Sequence, residues 1–177
     1  MKGMNFMQKL GKQTIKFDTS PCITNVASIV GPKEANGPLS KYFDQCLDDE
    51  FWGEKTWEKS ESKIIKETVN MAISKSGIAS SIRELNIPFL GIFGACSTFV
   101  EGLSLGAIMI DGCCQHVLCA ASSHFCSAEK QFRFPLELGN QRPPTSQWTV
   151  TGAGAAVLSK KRRRPFYYTY YKWKNCR

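Results

Sequence analysis

Residues 88–97 read Pro-Phe-Leu-Gly-Ile-Phe-Gly-Ala-Cys-Ser, an apolar run that ends in a turn of small residues and leads into a second apolar run, residues 97–110. The pattern predicts a buried strand, a tight turn and a helix, with Cys96 at the helix N-terminus. Unpaired backbone N–H groups and the positive end of the helix dipole favour a thiolate at such a position. Cys96 is therefore a candidate nucleophile or anion-facing residue, although a packed structural turn uses the same small residues.

The rest of the chain alternates predicted strands and helices. Strands are predicted at residues 23–30, 116–121 and 148–158. Residues 54–75 have the apolar spacing of an amphipathic helix that ends at Gly77, and residues 80–85 read as a short helical segment. Strands separated by helices predict an α/β layered sheet.

Composition points to one globular domain. The chain has 177 residues, 42% of them hydrophobic and 21% charged, which is enough to bury a core. Residues 1–16 contain no apolar stretch of signal-peptide length, and Pro88, Glu101 and several glycines interrupt the apolar residues 87–110, so we expect neither export nor a membrane span. Eight irregularly spaced cysteines are expected to stay reduced, as on the cytosolic side of a membrane.

Residues 113–126 contain six side chains of the kinds that bind zinc. No Cys-x-x-Cys spacing occurs among them, and a strand at residues 116–121 would send alternate side chains to opposite faces of a sheet. We therefore predict no metal site and no cofactor. The six residues are Cys113, Cys114, His116, Cys119, His124 and Cys126.

Residues 125–146 show no clear period and predict a long loop, which is typical of functional or disordered segments. Arg133 and Arg142 are candidates for holding a carboxylate or a phosphate, or are ordinary surface arginines. His124, just before this loop, reads either as a packed histidine or as a partner for Cys96.

The positive charge is concentrated in one segment. Residues 1–159 carry fifteen basic and fifteen acidic side chains, so residues 160–177 supply the whole net charge of +8. This basic aromatic tail has eight basic and six aromatic residues in eighteen. By itself it is typical of single-stranded nucleic-acid binding or of a polybasic membrane-surface segment.

Several short motifs carry a family resemblance. They are Gly-Pro-Lys-Glu at 31–34, Gly-Ala-Cys-Ser-Thr at 94–98, Ala-Ser-Ser-His at 121–124, Glu-Lys-Gln-Phe-Arg at 129–133 and Gln-Trp-Thr-Val-Thr-Gly-Ala-Gly-Ala-Ala at 147–156. In these motifs, and over about residues 12–161, the chain resembles the family of stage V sporulation protein AD. The resemblance implies a thiolase-like αβα layered fold, of which residues 1–159 would be an incomplete N-terminal half.

The resemblance also implies a function. Family members are expected to bind dipicolinic acid (pyridine-2,6-dicarboxylate), free or as its calcium chelate. They would load it into the developing spore with membrane proteins of the same sporulation complex, on the cytoplasmic side and peripheral to the spore inner membrane. The residues expected near the dicarboxylate are Cys96, Ser97, His124, Arg133 and Gln147.

An enzymatic alternative is acyl transfer of the thiolase or ketoacyl-synthase kind. Cys96 matches the nucleophile position of those enzymes, and His124 would assist it. Because such enzymes complete their sites from a second half, the resemblance leans against catalysis.

Two departures from the family pattern indicate a truncated or non-functional copy. A strand and the start of a helix are absent between Gly77 and Ser80, so the fold is expected to lack one core strand. Codons for the tail can be chosen so that deleting one adenine yields a family-like sequence, which predicts a frameshift-derived, disordered tail and no nucleic-acid partner. An incomplete half should expose an apolar face around Cys113, Leu118 and the strand near Trp148, favouring homodimers or aggregation.

Overall fold

A four-stranded mixed sheet forms the centre of the computed structural model, which describes residues 8–10, 12, 14–77, 87–128 and 149–160. Its strands are β3 (Pro21–Val30), β4 (Gln45–Cys46), β5 (His116–Ser123) and β6 (Gly152–Lys160), in the order β4-β3-β6-β5. β6 runs antiparallel to both β3 and β5, and β4 is parallel to β3. Strands β1 (Gln8–Leu10) and β2 (Thr14–Lys16) form a separate antiparallel pair.

One face of the sheet is covered by helix α2 (Trp57–Ser76). The Thr56 side chain caps its first turn by accepting from the Lys59 N–H, and Gly77 ends it with a left-handed φ of 62°. Its buried stripe recurs every four residues and comprises Ser60, Ile64, Thr68 and Ala72. The amphipathic helix predicted at residues 54–75 is confirmed.

Helix α3 (Thr98–Gly112) covers the opposite face. Ile110 and Ala107 form a buried cluster with Cys119 of β5 and Leu158 of β6. At Gly106 the helix lies so close to β5 that an added Cβ would be 2.9 Å from the Cys119 sulfur. Burial there raises the pKa of the Cys119 thiol. The predicted αβα layering is confirmed, with α2 and α3 on either side of the sheet.

The described residues also form two short α-helices, α1 (Pro32–Ala35) and α4 (Phe125–Ala128), and two 3-10 helices, Ser40–Tyr42 and Ala95–Ser97. Helices α1 and α4 follow the C-terminal ends of β3 and β5. No helix in the described ranges combines the length and the hydropathy that crossing a membrane requires.

The strand predicted at residues 88–93 does not form, so that prediction is wrong. Residues 88–94 have no regular structure, and the side chains of Phe89 and Phe93 are 90% and 78% exposed. A strand needs a neighbour to satisfy its backbone N–H and C=O groups. In the sheet built from the described residues, segment 88–93 pairs with none of the four strands, and the outer edge of β5 has no ladder partner.

The exposed apolar surface also differs from the prediction. Leu118 packs against the α2-side cluster instead of facing solvent. The exposed apolar side chains around the start of α3 are Ile87, Phe89, Leu90, Phe93 and Val100. Trp148 and the predicted segment at 80–85 lie outside the described residues.

Candidate functional site

The turn that presents Cys96 is a short 3-10 helix, Ala95–Ser97, directly before α3. Ala95 has a φ of 47°, a left-handed conformation that costs a non-glycine residue about 1–2 kcal/mol. Thr98 holds the turn, because its Oγ1 donates to the Ala95 carbonyl (2.8 Å) and accepts from the Gly94 N–H (3.1 Å). Cys96 and Ser97 are thereby placed together on an exposed, braced turn.

A carboxylate from α3 folds back over this turn. Ser97 Oγ lies 2.6 Å from Glu101 Oε1 and 2.7 Å from the Gly94 carbonyl oxygen, and its single proton serves one acceptor at a time. A Cβ at Gly94 would overlap the Glu101 carboxylate, so only glycine allows this approach. Negative charge therefore already sits at the positive end of the α3 dipole.

The backbone at the start of α3 keeps free donor capacity. Ser97 is the N-cap residue, but its side chain makes no capping hydrogen bond to the helix. The first N–H groups of a helix have no intrahelical acceptor and are satisfied by caps, water or ligands. This end of α3 is thus suited to anions, apart from the charge of Glu101.

His124 lies at the end of β5 and is fully buried. Its Nδ1 accepts from the Cys126 N–H (3.2 Å), so Nε2 carries the proton and donates to the Glu50 carbonyl oxygen (2.9 Å). Ser60 Oγ of α2 donates to the same carbonyl at 2.7 Å. Both ring nitrogens are therefore engaged, Nε2 by the loop after β4 and Nδ1 by the backbone of α4.

Strand alternation separates the two predicted catalytic residues. Cys119 faces α3, whereas Ser122 faces α2 and donates to Glu61 Oε1 at 3.0 Å. His124 is on the α2 side with Ser122, while Cys96 stands at the start of α3. The structure brings Cys96 and Ser97 together and engages His124 on the other side of the sheet.

Two of the five predicted ligand residues, Arg133 and Gln147, lie outside the described residues. The structure therefore gives no position for their side chains, and their role stays a prediction.

Two acidic side chains near His124 were not predicted as structurally important. Glu61 accepts from Ser127 Oγ at 3.0 Å as well as from Ser122, and so ties α2 to both β5 and α4. Glu34 Oε1 accepts from the Thr151 N–H at 3.3 Å, and its Oε2 is buried without a hydrogen-bond partner.

Three of the quoted motifs meet at this end of the sheet. The Gly31 N–H donates to the Thr151 carbonyl (2.8 Å), and the Phe125 N–H donates to Thr151 Oγ1 (3.0 Å). Thr151, in the motif at 147–156, is thus hydrogen-bonded to the motif at 31–34 and to the residue that follows the motif at 121–124. Their resemblance to a single family was the signal available in the sequence for this contact.

Two of the potential metal ligands at residues 113–126, His116 and Cys119, lie on opposite faces of β5, as strand alternation predicts. His116 Nδ1 lies 2.7 Å from Ser159 Oγ, and Cys119 Sγ donates to the Gly102 carbonyl. Among the described residues, no group of three or more His, Cys, Asp or Glu side chains could hold a metal ion.

An open groove of about 460 Å³ lies elsewhere, between α2 and β4. Trp52, Lys63 and Met71 are among its lining residues, and the three predicted ligand residues that the structure describes, Cys96, Ser97 and His124, do not line it. Lys63 Nζ is engaged by the Trp52 carbonyl at 2.8 Å and by Glu54 at 3.7 Å. The groove therefore offers no free lysine charge to an anion.

Comparisons with known proteins agree on one family. A sequence model described as stage V sporulation protein AD matches residues 11–82 and 78–171. The chain is 36% identical over 175 residues to stage V sporulation protein AD of Bacillus subtilis (strain 168), in an alignment that covers 87% of the chain and 52% of that relative. The two model matches overlap at residues 78–82, where a deletion is predicted, and the second extends into the basic aromatic tail. The chain spans about half the length of the curated relative it matches.

Proposed function

Because the chain belongs to the family of stage V sporulation protein AD, we propose that it acts in sporulation and binds dipicolinic acid at the turn of residues 94–97. Family membership fits the thiolase-like interpretation of the αβα layers. The observation that carries the proposal is this match, together with a turn that exposes Cys96 and Ser97 at the uncapped start of α3.

The charge of Glu101 bears on which form of the ligand would bind. A free dicarboxylate would meet the Glu101 carboxylate at the same helix end, and like charges a few ångströms apart repel by about 1 kcal/mol in water. The calcium chelate brings a cation that takes carboxylate oxygens as ligands. Glu101 would then change from a repelling group into a ligand, which favours the calcium chelate as the bound form.

Titration calorimetry with both forms tests this proposal. Glu101→Gln should bind the free dicarboxylate about fivefold more tightly than the wild type and the calcium chelate more weakly. Glu67→Gln on α2 is the control and should leave both affinities unchanged. Absence of binding of either form to a folded wild-type chain at millimolar ligand would refute the function. Binding that ignores Glu101→Gln would refute the location.

The proposed function also implies a cellular location and protein partners for the chain. As the family resemblance implies, the chain would work on the cytoplasmic side, peripheral to the spore inner membrane and beside membrane proteins of the same complex. The exposed side chains of Phe89, Leu90 and Phe93 support association with a second copy of the chain.

Acyl transfer at Cys96 is a second candidate, favoured by the exposed thiol behind a left-handed Ala95. The base predicted for this reaction is His124, and both of its ring nitrogens are engaged in other hydrogen bonds. Incubation with acetyl-coenzyme A and peptide mass spectrometry would detect an acetylated Cys96. Cys96→Ser is the control, and an unmodified wild-type thiol would exclude this candidate.

A further inference from the structure

Two consecutive cysteines close the turn between α3 and β5. Cys113 caps the C-terminal end of α3, and both its N–H and that of Cys114 donate to the Met109 carbonyl, at 3.0 and 2.9 Å. The two sulfur atoms lie 3.9 Å apart. Cys113 is exposed and Cys114 is half-buried, so the pair is accessible from solvent.

Direct oxidation of this pair is unfavourable on geometric grounds. Cα atoms joined by a trans peptide are about 3.8 Å apart, whereas disulfides usually join Cα atoms about 4.4–6.8 Å apart. A single atom bonded to both sulfurs makes no S–S bond necessary, and it would leave the two sulfurs near their present separation. Because the pair lies outside any group of three ligands in the described residues, a tetrahedral zinc site is not available to it.

We propose that Cys113 and Cys114 form a two-sulfur binding site for a thiophilic centre, such as a trivalent arsenical. In the reaction with a monosubstituted arsenic oxide, the two S–H bonds and the arsenic–oxygen double bond break. Two arsenic–sulfur bonds form, and both protons leave with the oxygen as water. Arsenic remains trivalent, so no oxidant or reductant is needed.

The surroundings of the pair affect the ionisation of the Cys114 thiol. Burial and the hydrogen bond with Cys113 raise the pKa of the Cys114 thiol, and the nearby Lys160 charge opposes this. The raised pKa keeps the Cys114 thiol protonated at neutral pH, so its proton is available to the leaving oxide.

Intact-protein mass spectrometry with phenylarsine oxide tests the site. One adduct should form on the wild-type chain, survive excess 2-mercaptoethanol and be removed by 2,3-dimercaptopropanol, because a second tethered thiol acts at millimolar effective concentration. Cys113→Ser and Cys114→Ser should each lower the adduct that survives 2-mercaptoethanol by at least about tenfold. Cys46→Ser, which removes an exposed cysteine of β4, should not.

Peptide mapping and a second substitution keep the test independent of folding. The adduct should map to the peptide containing residues 113 and 114, and Cys113→Ala should behave like Cys113→Ser while circular dichroism remains that of the wild type. Equal adduct retention in the wild type and both single variants, or an adduct mapped elsewhere, would overturn the proposal.

Discussion

Shortening Ile110 to alanine tests whether α3 packs on the sheet as described. Ile110 is fully buried among Ala107, Cys119 and Leu158, so Ile110→Ala removes three carbon atoms from a closed cluster. The lost transfer free energy is about 2.4 kcal/mol at about 0.8 kcal/mol per methylene group, and the residual cavity adds to it. We expect a loss of about 3 kcal/mol in the free energy of unfolding.

Ile108 provides a matched control on the same helix, because its side chain is 37% exposed. Ile108→Ala makes the same chemical change and the same gain in helix propensity, and it should cost less than about 1 kcal/mol. Urea unfolding followed by circular dichroism measures both. With a denaturant slope of about 2 kcal/mol per molar, Ile110→Ala should lower the midpoint by about 1.5 M. Equal shifts in the two variants, or a wild-type chain without a cooperative transition, would refute this packing.

Three further predictions follow from local features of the structure. Ala95→Gly relieves the left-handed strain at φ 47° and should leave stability unchanged or raise it by up to about 1 kcal/mol in the same urea assay, whereas a loss above about 1 kcal/mol would show that Ala95 is unstrained. The raised pKa of Cys119 means that stability is complete below the unfolded thiol pKa of about 8.5 and falls as pH rises through the folded value. The stability difference between the wild type and Cys119→Ala should therefore shrink from neutral pH to about pH 10, and a difference that grows with pH would contradict the burial of this thiol. The double substitution Phe89→Ser with Phe93→Ser should shift light-scattering mass toward the monomer, compared with Ile108→Ser as a control, and an unchanged association state would place the self-contact elsewhere.

Periodicity predicted the elements whose burial is set locally. The apolar stripe of α2 and the strands β3 and β5 appear close to where the sequence places them, because each has a face that must pack on a neighbour. The last strand, β6, begins at Gly152, later than the predicted start at residue 148. The segment at residues 88–93 has the composition of a buried strand but no ladder partner in the described sheet. The apolar composition of a segment indicates that it would be buried as a strand. Whether the strand forms depends on a neighbouring strand, which sequence periodicity does not reveal.

The candidate site was predicted less completely for a different reason. The turn at residues 94–97 was recognised from its small residues, but the return of Glu101 over Gly94 depends on side-chain rotamers within one helical turn. His124 looked available as a base in the sequence, and its two partners come from residues 50 and 126. The contact with Glu50 is a tertiary one between residues 74 positions apart, which the local sequence does not reveal.

Hydrogen–deuterium exchange with and without the calcium chelate of dipicolinic acid tests the location of the proposed site most directly. The N–H groups at the start of α3 should become hydrogen-bonded to the ligand, so exchange should slow in the peptide that covers residues 94–101. The α2 peptide, on the other face of the sheet, should be unchanged. Unchanged exchange at residues 94–101 at millimolar ligand, or protection confined to α2, would contradict the account.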